Sequence, residues 1–248
     1  MRTLGVILAR AGSAGLTSKH LRQLCGRSVI EYTFDHARSA RTLTHVVVST
    51  DCPEIRKLAQ YHGLDVIDRP AELATADASV QDAMLHAMRS VEELNGGNST
   101  AEPWAFDALV VLYGNVAVRG RGVIDRAVEL LQTTGCDSVR SFCPVGKWHP
   151  AWMSKLDGDR AIPLRPGSIH RRQDLEPLYL HDGAVVAVSR SSMLRGEKSL
   201  HDPHAFFGID RRGITTEMGE TIEIDHLRDL YWAEAVLREK TVQMRKAI

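Results

Sequence analysis

Two clusters of side chains in this chain have types and spacing suited to a phosphorylated ligand. The first is Ala9-Arg10-Ala11-Gly12-Ser13-Ala14-Gly15, followed by Ser18-Lys19. Glycines let a backbone turn tightly and aim several N–H groups at one point, and Arg10 and Lys19 add fixed positive charge for a triphosphate. The run matches neither GxGxxG nor GxxxxGK[ST], and a plain strand-to-helix turn has the same composition. The second is Ile222-Glu223-Ile224-Asp225. Its alternation turns both carboxylates of an extended segment to one side and both isoleucines to the other. Two hard oxygen donors on one face suit Mg²⁺, which is usually held by one or two carboxylates plus substrate phosphates. An edge strand with a wet face, or Asp225 capping the next helix, fits the same letters.

Three further segments carry polar groups at useful places. Ser49-Thr50-Asp51 and Leu112-Tyr113-Gly114-Asn115 each close an apolar run, where ligands meet the carboxyl ends of strands in open α/β sheets. Asp51, close to Pro53, also reads as a helix cap, and Asn115 as an ordinary turn residue that could otherwise meet a metal or a base edge. His170-Arg171-Arg172-Gln173-Asp174, with Tyr179, offers paired guanidinium groups for a carboxylate or phosphate, or a solvated loop ion pair with Asp174.

The elements that must position these groups alternate between short β-branched runs and helical periods. Strands are expected at 4–9, 45–49, 64–67, 107–113, 138–142 and 183–189, from their apolar, β-branched texture. Val29, Ile30, Thr33 and Ala37 recur at helical spacing, Pro53 opens a helix that Gly63 closes, and Ser79 with Asp82 resembles a capping box before the next. Residues 122–133 form another helix, and Leu227, Leu230, Ala233 and Leu237 share one face of the last. Residues 95–100 read as a surface loop. This is the signature of an α/β chain with helices packed on a mainly parallel sheet. Residues 145–180 break the period with Trp148, His149, Pro150 and Trp152, and suggest a small lobe or subunit arm.

A chain of 248 residues that is 44% hydrophobic can bury one full core, so residues 1–248 are expected to form a single domain. Its 31 basic and 31 acidic residues leave no net charge, which argues against nucleic acid or an anionic membrane as partner and requires a local site for any anion. No apolar run reaches the ~18 residues of a membrane span. Cys25, Cys52, Cys136 and Cys143 are scattered without a CxxC, which fits a reducing cytoplasm and not structural zinc.

In order and spacing, these segments together resemble the acylneuraminate cytidylyltransferase family, relatives of the CMP-Kdo synthetases, over nearly the whole chain. The family's A-R-x-G-S-K-G loop and following K-N correspond to residues 9–15 and Lys19-His20, and its V-V-S-T-D strand end to residues 47–51. R-P-x-x-L-A is present as residues 69–74, R-R-Q-D-L…Y…N-G-A as residues 171–175, Tyr179 and Gly183-Ala184, and I-D-I-D as residues 222–225. The resemblance implies a Rossmann-like nucleotide-diphospho-sugar transferase fold, a homodimer, and CTP, Mg²⁺ and an acidic sugar as ligands, with pyrophosphate released. It implies that Arg10, Lys19 and Asp225 are catalytic. Ala9, Arg10, Gly12, Ser13, Gly15, Lys19 and Asn115 would bind the nucleotide, Arg172, Gln173 and Tyr179 the sugar, and Glu223 and Asp225 the metal.

The chain departs from the family at informative places. The loop lysine is Ala14, and the asparagine after Lys19 is His20. The central Q-P-T-S-P-L-R is replaced by residues 113–119, with Asn115 where a metal-binding aspartate would stand in other sugar nucleotidyltransferases. Glu223 is one methylene longer than aspartate, and Asp182 replaces an asparagine, an awkward charge beside an acidic sugar unless Arg171 or Arg172 neutralises it. Two other readings follow: the same fold using another nucleoside triphosphate and a sugar phosphate, or a nucleotide-binding relative without turnover.

Overall fold

The computed structural model describes residues 1–12, 15–96, 104–165, 167, 169, 171–199 and 202–246, with side chains through residue 240. Strand β1 (Thr3–Leu8) is wholly buried. A short hairpin, β2 (Gln23–Leu24) and β3 (Arg27–Ser28), leads into helix α1 (Val29–Ser39), whose N-terminus carries a reciprocal capping box between Ser28 and Glu31. Next come β4 (His45–Thr50), α2 (Pro53–Tyr61) and β5 (Asp65–Asp68). Gly63, at φ +66°, ends α2 in the left-handed region that favours glycine. Helix α3 (Val80–Gly96) follows, and the Ser79 hydroxyl accepts the Asp82 N–H at 3.0 Å, the side-chain half of the expected box. The expected loop at 95–100 begins in the last turn of this helix, and residues 97–100 lie outside the described residues.

Strands β6 (Ala108–Tyr113) and β7 (Val116–Val118) precede α4 (Val123–Thr134) and β8 (Ser138–Pro144). An exposed hairpin of β9 (Ser154–Asp157) and β10 (Arg160–Pro163) occupies the expected arm and stands outside the main sheet. Then come β11 (Tyr179–Ser189), α5 (Arg190–Gly196), β12 (Arg211–Thr215), β13 (Ile222–Glu223) and α6 (Leu227–Lys246).

The central sheet has seven strands in the order β12-β8-β11-β6-β1-β4-β5. β1 pairs in parallel with β4 and β6, β4 with β5, and β8 with β12; β11 runs against both of its neighbours. The sheet is therefore mainly parallel and mixed, as expected. Alternation sends Ile7, Val110, Leu112, Val185 and Ala187 to the face covered by α1, α2 and α4. Leu4, Val6, Val111, Val186 and Val188 face the other side, under α3 and α5. Both faces are buried, so the strands read as continuous apolar runs. A third core joins Ala117, Val118, Ile222 and Ile224 to Ala233 of α6, and it fixes where the late acidic pair sits.

Candidate active site

The ends of β1, β4 and β6 meet at one edge of the sheet. After β1, Ala9 N donates to the Ser49 carbonyl at 3.1 Å, and Ala11 N donates to Asp51 Oδ1 at 2.8 Å. Asp51 therefore steadies the glycine loop instead of capping α2, whose N-cap is Cys52, without a side-chain bond. Gly114 N donates to the Leu8 carbonyl at 3.0 Å, bringing the end of β6 to the same loop. Arg10 Nη1 donates to the Thr75 carbonyl, tying the loop to the segment before α3. Gly12 is open on its Cβ side, and Ser13 lies outside the described residues.

The late acidic pair joins this loop directly. Leu16 N donates to the Asp225 carbonyl at 3.1 Å, and a Cβ on Gly15 would stand 2.7 Å from that oxygen, so the approach requires glycine. Lys19 Nζ meets Asp225 Oδ1 at 2.6 Å. Ile222 and Ile224 are buried, which turns Glu223 and Asp225 to the other side, as the alternation requires. Asn115 Nδ2 lies 3.0 Å from Glu223 Oε1 and 3.2 Å from both Asp225 Oδ1 and the Ile224 carbonyl. The amide thus faces both carboxylates, which lie within two hydrogen-bond lengths of each other. Asp225 is not the cap of α6: the Asp229 carboxylate accepts the N–H groups of Asp225 and His226 at 3.0 and 2.7 Å.

A cavity of about 220 Å³ opens beside this junction, lined by Arg10, Lys19, His20, Arg69, Asn115 and Glu223, with Tyr113 and the 73–80 segment completing the wall. Burial, reinforced by neighbouring Lys19 and Arg69, pushes the His20 pKa down to about 3, so its ring is a neutral hydrogen-bonding group. Arg69 is nearly buried and reaches the Ser49 carbonyl at 2.7 Å; desolvation lowers its pKa to about 10, which leaves it charged at neutral pH. Burial raises the Glu223 carboxyl above the usual carboxylate range; the Asn115 hydrogen bond opposes this and the charge of Asp225 adds to it. Two crowded carboxylates of this kind are relieved by a dication. Among the described residues there is no group of three or more His, Cys, Asp or Glu side chains placed to hold a metal, so Glu223 and Asp225 form a two-carboxylate set.

A family model described as cytidylyltransferase matches residues 4–103. An N-acylneuraminate cytidylyltransferase of Streptococcus agalactiae is 27% identical over 244 residues, 97% of this chain and 56% of that protein. The chain thus spans just over half of the streptococcal relative. A CMP-N,N'-diacetyllegionaminic acid synthase of Legionella pneumophila is 27% identical over 248 residues and is covered to 98%. A solved CMP:2-keto-3-deoxy-manno-octonic acid synthetase complexed with CTP superposes with a TM-score of 0.72, at 18% identity, over 97% of this chain and 100% of its own. Over nearly its whole length the chain is similar to N-acylneuraminate and CMP-legionaminic acid cytidylyltransferases. The last likeness shows that the chain shares the fold of that synthetase.

The structure brings Ala9, Arg10, Gly15, Lys19, Asn115, Glu223 and Asp225 to one place. Arg172, Gln173 and Tyr179 stand away from the cavity lining and are exposed. Arg171 forms the loop ion pair with Asp174, at 2.7 Å. Asp182 is not neutralised by either arginine. Its oxygens accept from the Ser141 hydroxyl, from Thr216 Oγ1 at 2.6 Å and from Ala184 N at 3.1 Å, and these bonds outweigh burial to hold its pKa down. His149 is a buried brace between Ala151 N and the Glu176 carbonyl. Arg69 went unassigned in the sequence, although its R-P-x-x-L-A segment was visible. Its role follows from burial behind the strand end, which no local pattern encodes.

Proposed function

We propose that this chain joins CTP to an acidic sugar of the sialic or legionaminic kind, giving a CMP-sugar and pyrophosphate. The observation that carries the reading is the junction of the glycine loop with Glu223 and Asp225, through Leu16, Gly15, Lys19 and Asn115, beside a cavity lined by Arg10, His20 and Arg69. The names of the relatives supply the nucleotide and the acceptor class.

On this reading Arg10, Lys19 and Arg69 hold the triphosphate, the backbone of residues 9–15 cradles it, and Asn115 keeps the acidic pair together. Glu223 and Asp225 would hold Mg²⁺, which supplies charge neutralisation on the phosphate oxygens. The acceptor hydroxyl attacks the α-phosphorus in line, and positioned cations carry the charge that builds up on the leaving pyrophosphate. Arg172, Gln173 and Tyr179 are assigned to the sugar side, on an arm that a second copy of the chain completes as a homodimer. A cytoplasmic site of action fits the reduced cysteines, and among the described residues no helix is long and apolar enough to cross a membrane.

Pyrophosphate release measured with each of the four nucleoside triphosphates against sugar acids and sugar phosphates tests the proposal. Release with CTP and a sialic-type acid is expected. Release only with another nucleotide and a sugar phosphate would replace this reading, and tight nucleotide binding without release would make the chain a non-catalytic relative.

A further inference from the structure

The apolar sheet face under α3 and α5 carries one charged side chain whose presence the fold does not explain. Arg140 of β8 lies opposite Val186 of β11, which lies opposite Val111 of β6. Val186 and Val111 belong to the core of that face, and Tyr113 packs on it two residues further along β6, next to Asn115. Arg140 is half-buried, and its guanidinium rests on the rings of Phe142 and Phe207, with centroids at 5.1 and 4.5 Å. Among the described residues no carboxylate or carbonyl accepts a hydrogen bond from it. A desolvated cation held only by aromatic faces retains most of its capacity to bind an anion.

The surroundings repeat this pattern. A second guanidinium, Arg211, lies 5.9 Å from the Phe207 centroid and bonds only its Nε to the Gly208 carbonyl. Nearby acids are engaged elsewhere: Asp210 with Arg212, Asp137 with Arg195, and Asp182 with Ser141 and Thr216. On β12 the position opposite Arg140 is Gly213, where a Cβ would stand 2.9 Å from the Phe142 ring. That strand therefore puts no side chain directly opposite Arg140, and burial together with repulsion from Arg211, two residues earlier on it, lowers the Arg140 pKa.

Building on the proposed transferase reading, we infer that Arg140, supported by Arg211 and framed by Phe142 and Phe207, is an acceptor subsite that receives the acceptor's oxyanion. That oxyanion is the carboxylate of a sugar acid or the phosphate of a sugar phosphate. The family resemblance implies a sugar contact on the exposed loop at 171–179, whereas this cation stands on the sheet beyond Tyr113 and has no counter-ion among the described residues.

Steady-state pyrophosphate release tests the subsite in wild type, Arg140→Met and Arg140→Lys, with circular dichroism to confirm folding. The acceptors are a sialic-type acid, its carboxamide and a sugar phosphate, at saturating CTP. Loss of a charge-assisted hydrogen bond predicts that Arg140→Met raises KM for the acid by about tenfold to a hundredfold, leaves KM for CTP unchanged, and leaves the carboxamide unaffected. Arg140→Lys is expected to retain most of the affinity. Equal weakening of acid and carboxamide, or no change for any of the three acceptors, would overturn the subsite. An effect confined to the sugar phosphate would keep the subsite and shift the failure to the proposed acceptor. If wild type releases no pyrophosphate with any pair, the transferase reading fails by itself. Calorimetric binding of the acid then decides the subsite: it stands if Arg140→Met abolishes binding and falls if it does not.

Discussion

Asn115 occupies the place where a third carboxylate would crowd Glu223 and Asp225, and its amide instead lies within hydrogen-bond distance of both. Aspartate there would add a third carboxylate to an already crowded pair. Asn115→Asp is therefore expected to lower the melting temperature without divalent cation and to recover stability on adding Mg²⁺, as followed by thermal denaturation. Asp225→Asn separates chemistry from folding. Asp225 is about half exposed and pairs with Lys19, an interaction worth about 0–1 kcal/mol. Turnover should disappear while the melting temperature stays within a few degrees; an unfolded variant would assign Asp225 a structural role instead. For Glu223 the folded pKa lies above its unfolded value, so the folded state holds the proton more tightly and this group's contribution falls as pH rises through that range. Glu223→Gln is accordingly expected to melt higher than wild type at neutral pH without metal. The difference should shrink as pH drops below the usual carboxylate range.

At the scale of elements, the late strand and the glycine loop touch through backbone, and only glycine at position 15 permits that approach. Gly15→Val should cut kcat/KM by more than tenfold while shifting the melting temperature less than a core truncation does, because the added group meets the Asp225 carbonyl and not the core. The alternation of 222–225 and the apolar strand ends were readable in the sequence because burial on one face enforces a period of two. The roles of Asp51, Asp182 and Asp229 were not. Two of these carboxylates are claimed by donors from other segments: Asp51 by Ala11, and Asp182 by Ser141 and Thr216, with Ala184 adding a local bond. Asp229 accepts backbone N–H groups just before its own helix. The bonds from Ala11 to Asp51 and from Ser141 and Thr216 to Asp182 depend on tertiary approach, which letters along the chain do not specify, whereas Asp229 acts locally at the start of its own helix. The same logic makes Asp182→Ala costly, by about 1–3 kcal/mol for donors left without an acceptor, and Asp182→Asn much milder, since an amide keeps one oxygen; denaturant unfolding distinguishes them.

For the molecule as a whole, the order β12-β8-β11-β6-β1-β4-β5 puts three parallel strand ends at one edge, where the loop, the cavity and the acidic pair meet. The arm leaves this frame: Trp148, Leu156, Ile162 and Leu164 on it are exposed, an apolar surface of the kind a second copy covers. Sedimentation is expected to show a dimer, and Leu156→Asp with Ile162→Asp to yield monomers with an unchanged far-ultraviolet spectrum; monomers in wild type would remove the arm from that role. The central claim is that loop cations and carboxylates converge on one nucleotide. Calorimetric titration of CTP with Mg²⁺ into wild type, Arg10→Met, Asp225→Asn and the double variant tests it most directly. Both single changes should weaken binding, and the two losses should be non-additive, as for groups acting on one ligand. Independent, additive losses, or affinity indifferent to Asp225, would contradict it.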